Sequence, residues 1–96
     1  MEAKQLLSVI APIIKAGEDL LTVRELAVML FLAAGEQDFS HIARELQLVK
    51  PAVTRITGRL GICGHAMRRR GGEDSRKGFI SLTDRGRAFV RQLEGA

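Results

Sequence analysis

The chain has 96 residues, enough for one domain near the lower end of sizes that fold alone, with 46% hydrophobic residues and a formal net charge of +4. Four Phe with no Tyr and no Trp leave the core to Leu, Ile, Val and Ala, and they argue against the aromatic platforms that stack single strands or RNA. One cysteine, Cys63, excludes an intrachain disulfide; no His/Cys cluster has metal-ligand spacing, no signal peptide is visible and no apolar run could span a bilayer, so a cytoplasmic protein without metal or cofactor is expected.

Leu6, Leu7, Ile10, Ile13 and Ile14 recur at spacings of three and four and predict an amphipathic helix over residues 3–16, kinked or started late by Pro12. Gly17 and the acidic pair Glu18-Asp19 mark a break. Thr22-Val23-Arg24-Glu25 reads as a capping box, with Leu21 and Leu26 placed as a hydrophobic staple. The helix it opens runs through Leu26, Val28, Met29, Leu30, Phe31 and Leu32, is apolar nearly all round, and is expected to be the central buried helix, ended by Gly35. A short third helix from Phe39 to Leu46 turns Ile42, Ala43 and Leu46 inward. Gln47-Leu48-Val49 is the turn that follows. Pro51 fits the first turn of the next helix and excludes a continuous helix through residue 50. Two short helices joined in this way form a helix-turn-helix unit.

A turn of 100° per residue from Val53 puts Val53, Ile56, Thr57 and Leu60 on one face of that helix and Pro51, Ala52, Thr54, Arg55, Gly58 and Arg59 on the other. The second face is slim near its N-terminus with long donors further on, as entry into a major groove requires, although an ordinary solvated face has the same character. Gly64 can end the helix in the left-handed conformation. Residues 65–70 and 77–82 then read as antiparallel strands around the turn Gly71-Gly72-Glu73-Asp74-Ser75, with Phe79 and Ile80 on opposite faces so that only one points fully inward. Thr83 caps the last helix, Asp84 complements its dipole, and Ala88, Phe89 and Leu93 form its apolar side. The expected fold class is therefore mainly α with a small β-hairpin (α+β), a winged helix-turn-helix in the order α-α-α-α-β-β-α. It forms one domain over residues 1–96, with 1–16 as a dimer contact and 20–96 as the core.

Charge is divided unevenly. Residues 1–49 hold four cations against seven carboxylates, a net of −3, and residues 50–96 hold eleven cations against four carboxylates, a net of +7. The basic half is the half with the reading helix and the wing, and a field of that sign attracts polyanions. Double-stranded DNA is the partner this order of elements favours.

From residue 20 onward the chain resembles the multiple-antibiotic-resistance regulator (MarR) family of winged-helix repressors. The family's usual run is held without gaps by Val53-Thr54-Arg55, Gly64, Arg68, Asp74-Ser75-Arg76 and Leu82-Thr83-Asp84-Arg85-Gly86. The resemblance implies that Thr54 and Arg55 meet phosphates or base edges in the major groove, and that Arg76, held by Asp74, enters the adjacent minor groove, where a narrow groove concentrates negative potential. Three places depart from the pattern. His65 and Ala66 replace larger apolar residues, which makes His65 a core histidine; Val49 replaces a capping Ser or Thr; Arg68-Arg69-Arg70 is more basic than the pattern requires.

The DNA-contact set expected from these readings is Lys50, Pro51, Ala52, Thr54, Arg55, Arg59, Arg68, Arg69, Arg70, Asp74, Arg76 and Lys77. Helix 50–62 reads the major groove and wing 65–82 lies at the minor groove. Family members usually knit two subunits through further helices, so a homodimer here is expected to use Leu6, Ile10, Ile13 and Ile14 with Phe89, Val90 and Leu93. A small-molecule effector, common in the family, finds no support in these residues. The competing reading is a winged-helix module that binds protein and not DNA. No enzyme is expected: His41 and His65 lie in different elements, adjacency of Ser40 and His41 does not make a nucleophile–base pair, and a glycine-rich phosphate loop is missing.

Overall fold

Local caps decide where the helices begin. In the computed structural model, which describes residues 1–17, 20–71 and 78–95, α1 spans Ala3–Lys15 and passes through Pro12. The Glu2 amide donates to the Gln5 side chain at 2.8 Å at its start. Helix α2 spans Val23–Phe31 behind the expected capping box: the Glu25 amide donates to Thr22 Oγ1 at 3.0 Å, and the Thr22 amide donates to Glu25 Oε1 at 2.8 Å. Its end tightens into a 3₁₀ turn at Leu32–Ala34 before Gly35, whose φ of +135° suits a residue without Cβ.

Helix α3 covers Phe39–Leu46, the expected range, with Asp38 Oδ1 accepting from the His41 amide at 2.7 Å. The break before α4 falls at Gln47, in the left-handed region at φ 54°, and at the extended Val49. Lys50 is already helical in α4, Lys50–Ile62, and Pro51 sits in the first turn where no amide donor is needed. Gly64 then reverses the chain at φ +82°.

Strands β2, Ala66–Arg70, and β3, Gly78–Leu82, pair antiparallel from Ala66 opposite Leu82 to Arg70 opposite Gly78. One element was not foreseen. Gln37–Asp38 forms a short strand, β1, on the other edge of β3, so the hairpin is a three-stranded antiparallel sheet in the order β1-β3-β2. Helix α5, Asp84–Glu94, follows.

The core gathers Val28, Met29 and Leu32 of α2 and its extension, Ile42 of α3, Val53, Ile56 and Leu60 of α4, and Ile80 and Leu82 of β3. Phe79 is half-buried while Ile80 is fully buried, as strand alternation demands. Three packing expectations need correction. Helix α2 is not buried all round, because Val23 and Leu30 face solvent. On α5, Ala88 is exposed and Val90 takes its place beside Phe89 and Leu93; a methyl group offers too little apolar area to dictate which side turns inward. Phe89, Val90 and Leu93, expected at a subunit interface, are buried within the subunit, where α5 packs with α1. Of the α1 stripe only Ile13 is buried; Leu6, Leu7, Ile10 and Ile14 remain 47–62% exposed.

The junction of wing and α5 is closed by backbone. Thr83 Oγ1 accepts from the Gly86 amide at 3.0 Å and donates to the Gly64 carbonyl at 2.6 Å, and the Thr83 amide donates to the His65 carbonyl at 3.0 Å. A Cβ on Gly86 would lie 2.0 Å from the His65 carbonyl oxygen, so α5 can come this close only with glycine there. His65 is buried, as expected, its ring 5.4 Å from that of Phe89.

Candidate nucleic-acid interface

Helix α4 offers solvent a polar strip. Lys50, Pro51, Thr54 and Arg55 are exposed, whereas Val53, Ile56, Thr57 and Leu60 are held in the core. Thr57, mid-helix and buried, satisfies its hydroxyl on the Val53 carbonyl at 2.8 Å. Thr54 donates to the Lys50 carbonyl at 3.2 Å, which leaves its oxygen able to accept.

Beside this strip lies a cleft of about 380 Å³ lined by Asp38, Phe39, Ser40, Arg44, Lys50, Thr54 and Gly78. Two donors in it, Ser40 and Arg44, were missed from the sequence. Both belong to α3, and only the folded turn at Gln47 brings them beside the start of α4; a basic residue one element upstream was the available signal.

The wing cations divide by strand face. Arg68 pairs with Ile80 across the ladder and Arg70 with Gly78, so both lie on the helix-facing side, while Arg69 pairs with Phe79 on the outer side. Arg68 Nη2 donates to the Thr54 carbonyl at 2.6 Å, and its guanidinium stands 5.5 Å from the Phe39 ring centroid. Gly58 permits that approach, since a Cβ there would be 2.7 Å from Arg68 Nη2. Arg69 stacks 4.5 Å over Phe79 and makes a two-point ion pair with Glu36, Nε to Oε2 at 2.8 Å and Nη2 to Oε1 at 2.5 Å. Hydrogen bonding with Glu36 raises the Arg69 proton affinity above the ordinary arginine value; desolvation opposes this and coulombic attraction adds to it.

Two expected contacts sit elsewhere. Ala52 is 2% exposed, so it packs inside; α4 is flanked by α2, α3 and β2, and the covered arc is wider than a helical wheel from Val53 anticipates. Arg59 turns toward α2. Its Nε lies 2.6 Å from Glu25 Oε2, and its Nη2 donates to the Leu20 carbonyl at 3.1 Å. Asp74, Arg76 and Lys77 lie outside the described residues. Among the described residues no cluster of His, Cys, Asp and Glu could hold a metal ion, and no helix is long and apolar enough to cross a membrane.

The element order, the three-stranded wing and the position of α4 define a winged helix-turn-helix, and the solved structures similar to it include proteins described as transcriptional regulators. RV1404 from Mycobacterium tuberculosis superposes with a TM-score of 0.84 at 23% identity, over 97% of this chain and 64% of its own. The transcriptional regulator PA4135 matches with a TM-score of 0.78 at 22% identity, over 96% and 66% of the two chains. NadR, solved in complex with 4-hydroxyphenylacetate, matches with a TM-score of 0.77 at 25% identity, over 96% and 64%. The chain thus spans slightly less than two thirds of the length of these proteins. No family model matches the sequence, and no curated protein is significantly similar to it.

Proposed function

We propose that the protein is a sequence-selective transcriptional regulator that binds double-stranded DNA, with α4 in the major groove and the wing at the adjacent minor groove. One observation carries this reading: the exposed strip Lys50-Pro51-Thr54-Arg55 is continuous with the cleft holding Ser40 and Arg44, and the wing is fastened to the same helix through Arg68. That surface joins short groups that let a helix sit deep with long donors on its flank.

In this reading Thr54 and Arg55 face base edges. Lys50, Arg44, Ser40 and Arg70 serve phosphates, and the minor groove is assigned to Arg76, with Asp74 and Lys77, as the resemblance implies. Arg68 fixes the angle between wing and helix. Arg69 is engaged by Glu36, and Ala52 and Arg59 take no direct part. The open α1 stripe of Leu6, Leu7, Ile10 and Ile14 is the surface of a two-fold homodimer. A dimer of this kind favours a pseudo-palindrome with half-sites about one helical turn apart.

The test is selection from a pool of random duplexes, followed by titration of the selected site at several salt concentrations. Arg55→Ala should lose about 1–3 kcal/mol on that site and relax one base-pair preference. Arg76→Ala should weaken binding to most sequences and flatten the salt dependence. Unchanged affinity in both variants would overturn the reading, and retention of no duplex at any salt would favour a protein partner instead.

A further inference from the structure

Arg55 and Arg59 are one turn apart on α4, yet the fold treats them differently. Arg55 is exposed on the strip proposed to enter DNA; Arg59 is drawn back by Glu25. Residues at i and i+4 lie on one side of a helix, so an unrestrained Arg59 would project beside Arg55 and reach the same polyanion.

The restraint is built from three groups. Glu25 is 2% exposed, whereas the Arg59 side chain is 51% exposed. One Glu25 oxygen accepts from the Thr22 amide at the start of α2; the other lies 2.6 Å from Arg59 Nε, and Arg59 Nη2 is anchored on the Leu20 carbonyl. These groups line a cleft of about 440 Å³ together with Arg24, Arg55 and Ile56, and Glu25 is the one carboxylate on its described wall. A carboxylate so far from water needs its partner, because withdrawing the cation leaves a buried charge uncompensated. With Nε against Glu25 and Nη2 on the Leu20 carbonyl the guanidinium is held on the α2 side, and carrying it to a phosphate beside Arg55 would withdraw it from Glu25.

We propose that Glu25 is a specificity-determining positioning residue: it withholds Arg59 from the phosphodiester backbone and so keeps the affinity for unrelated duplex low relative to the selected site. This rests on the DNA-binding reading above. An extra phosphate contact adds affinity without regard to sequence, and its removal from use therefore improves discrimination.

Glu25→Gln tests it. The amide keeps a carbonyl oxygen for the Thr22 amide and loses the charge that holds Arg59. In titrations with unrelated duplex, Glu25→Gln should bind several-fold more tightly, with a salt slope steeper by about 0.9, the value for one added phosphate contact. The double variant Glu25→Gln/Arg59→Gln should return to the wild-type slope. Arg59→Gln alone should leave that slope unchanged; a fall of about one unit would show that Arg59 already meets phosphate and would overturn the proposal. A Glu25→Gln protein that folds but keeps the wild-type slope overturns it as well. A DNA-free readout separates this from the parent reading: the Arg59 side-chain nitrogen resonances should differ between the wild type and Glu25→Gln, because the charge beside them is lost. Unchanged resonances refute the restraint whether or not DNA binds, and failure of the wild type to hold any duplex refutes the parent reading even where the restraint is seen.

Discussion

The two ends of the molecule handle their surfaces in opposite ways. At the meeting of wing and α5, Thr83 bonds both Gly64 and Gly86, and the His65 carbonyl receives the Thr83 amide while pressing against Gly86. On α1, four large aliphatic side chains stand open. The first region is specified by backbone contacts with no spare volume, the second by apolar side chains that the described residues leave about half exposed. The first thus bears on whether the domain forms, and the second on the homodimer proposed above.

Substitutions can break or sharpen that contrast. Gly86→Ala has the largest expected effect: its methyl group meets a carbonyl oxygen that cannot rotate aside, so destabilisation should reach or exceed about 3 kcal/mol, the upper end for overpacking, in urea unfolding. Thr83→Ala removes the cap of α5 and the bond to Gly64 and should cost about 1–2 kcal/mol in the same measurement. Leu7→Ser should change monomer stability by less than about 0.5 kcal/mol, as exposed substitutions do, yet shift the mass seen by light scattering from dimer to monomer. If Leu7→Ser unfolds the chain instead, α1 belongs to the core and the contrast fails.

Legibility in the sequence follows the range of each interaction. Thr22 with Glu25, Pro51 at the start of α4, and Thr83 at the start of α5 act within a turn of their own helix, and each was readable from spacing alone. Strand β1 was not, because two residues carry no alternation; pairing with Ile80 and Phe79 creates it. Arg69 with Glu36 and Arg59 with Glu25 join residues more than thirty positions apart, so a helical wheel or a charge count sees only free cations. The same wheel placed Ala52 outside because it cannot register a neighbouring helix arriving from the side. Ser40 and Arg44 escaped notice for a related reason: their proximity to Lys50 and Thr54 is made by the turn between α3 and α4.

The hydroxyl of Thr83 has a mechanical meaning. One oxygen atom ties the chain just past the exit of α4 to the first turn of α5, so neither can pivot without the other. Loss of that one atom would therefore be expected to loosen the start of α5 and the chain leaving α4 together.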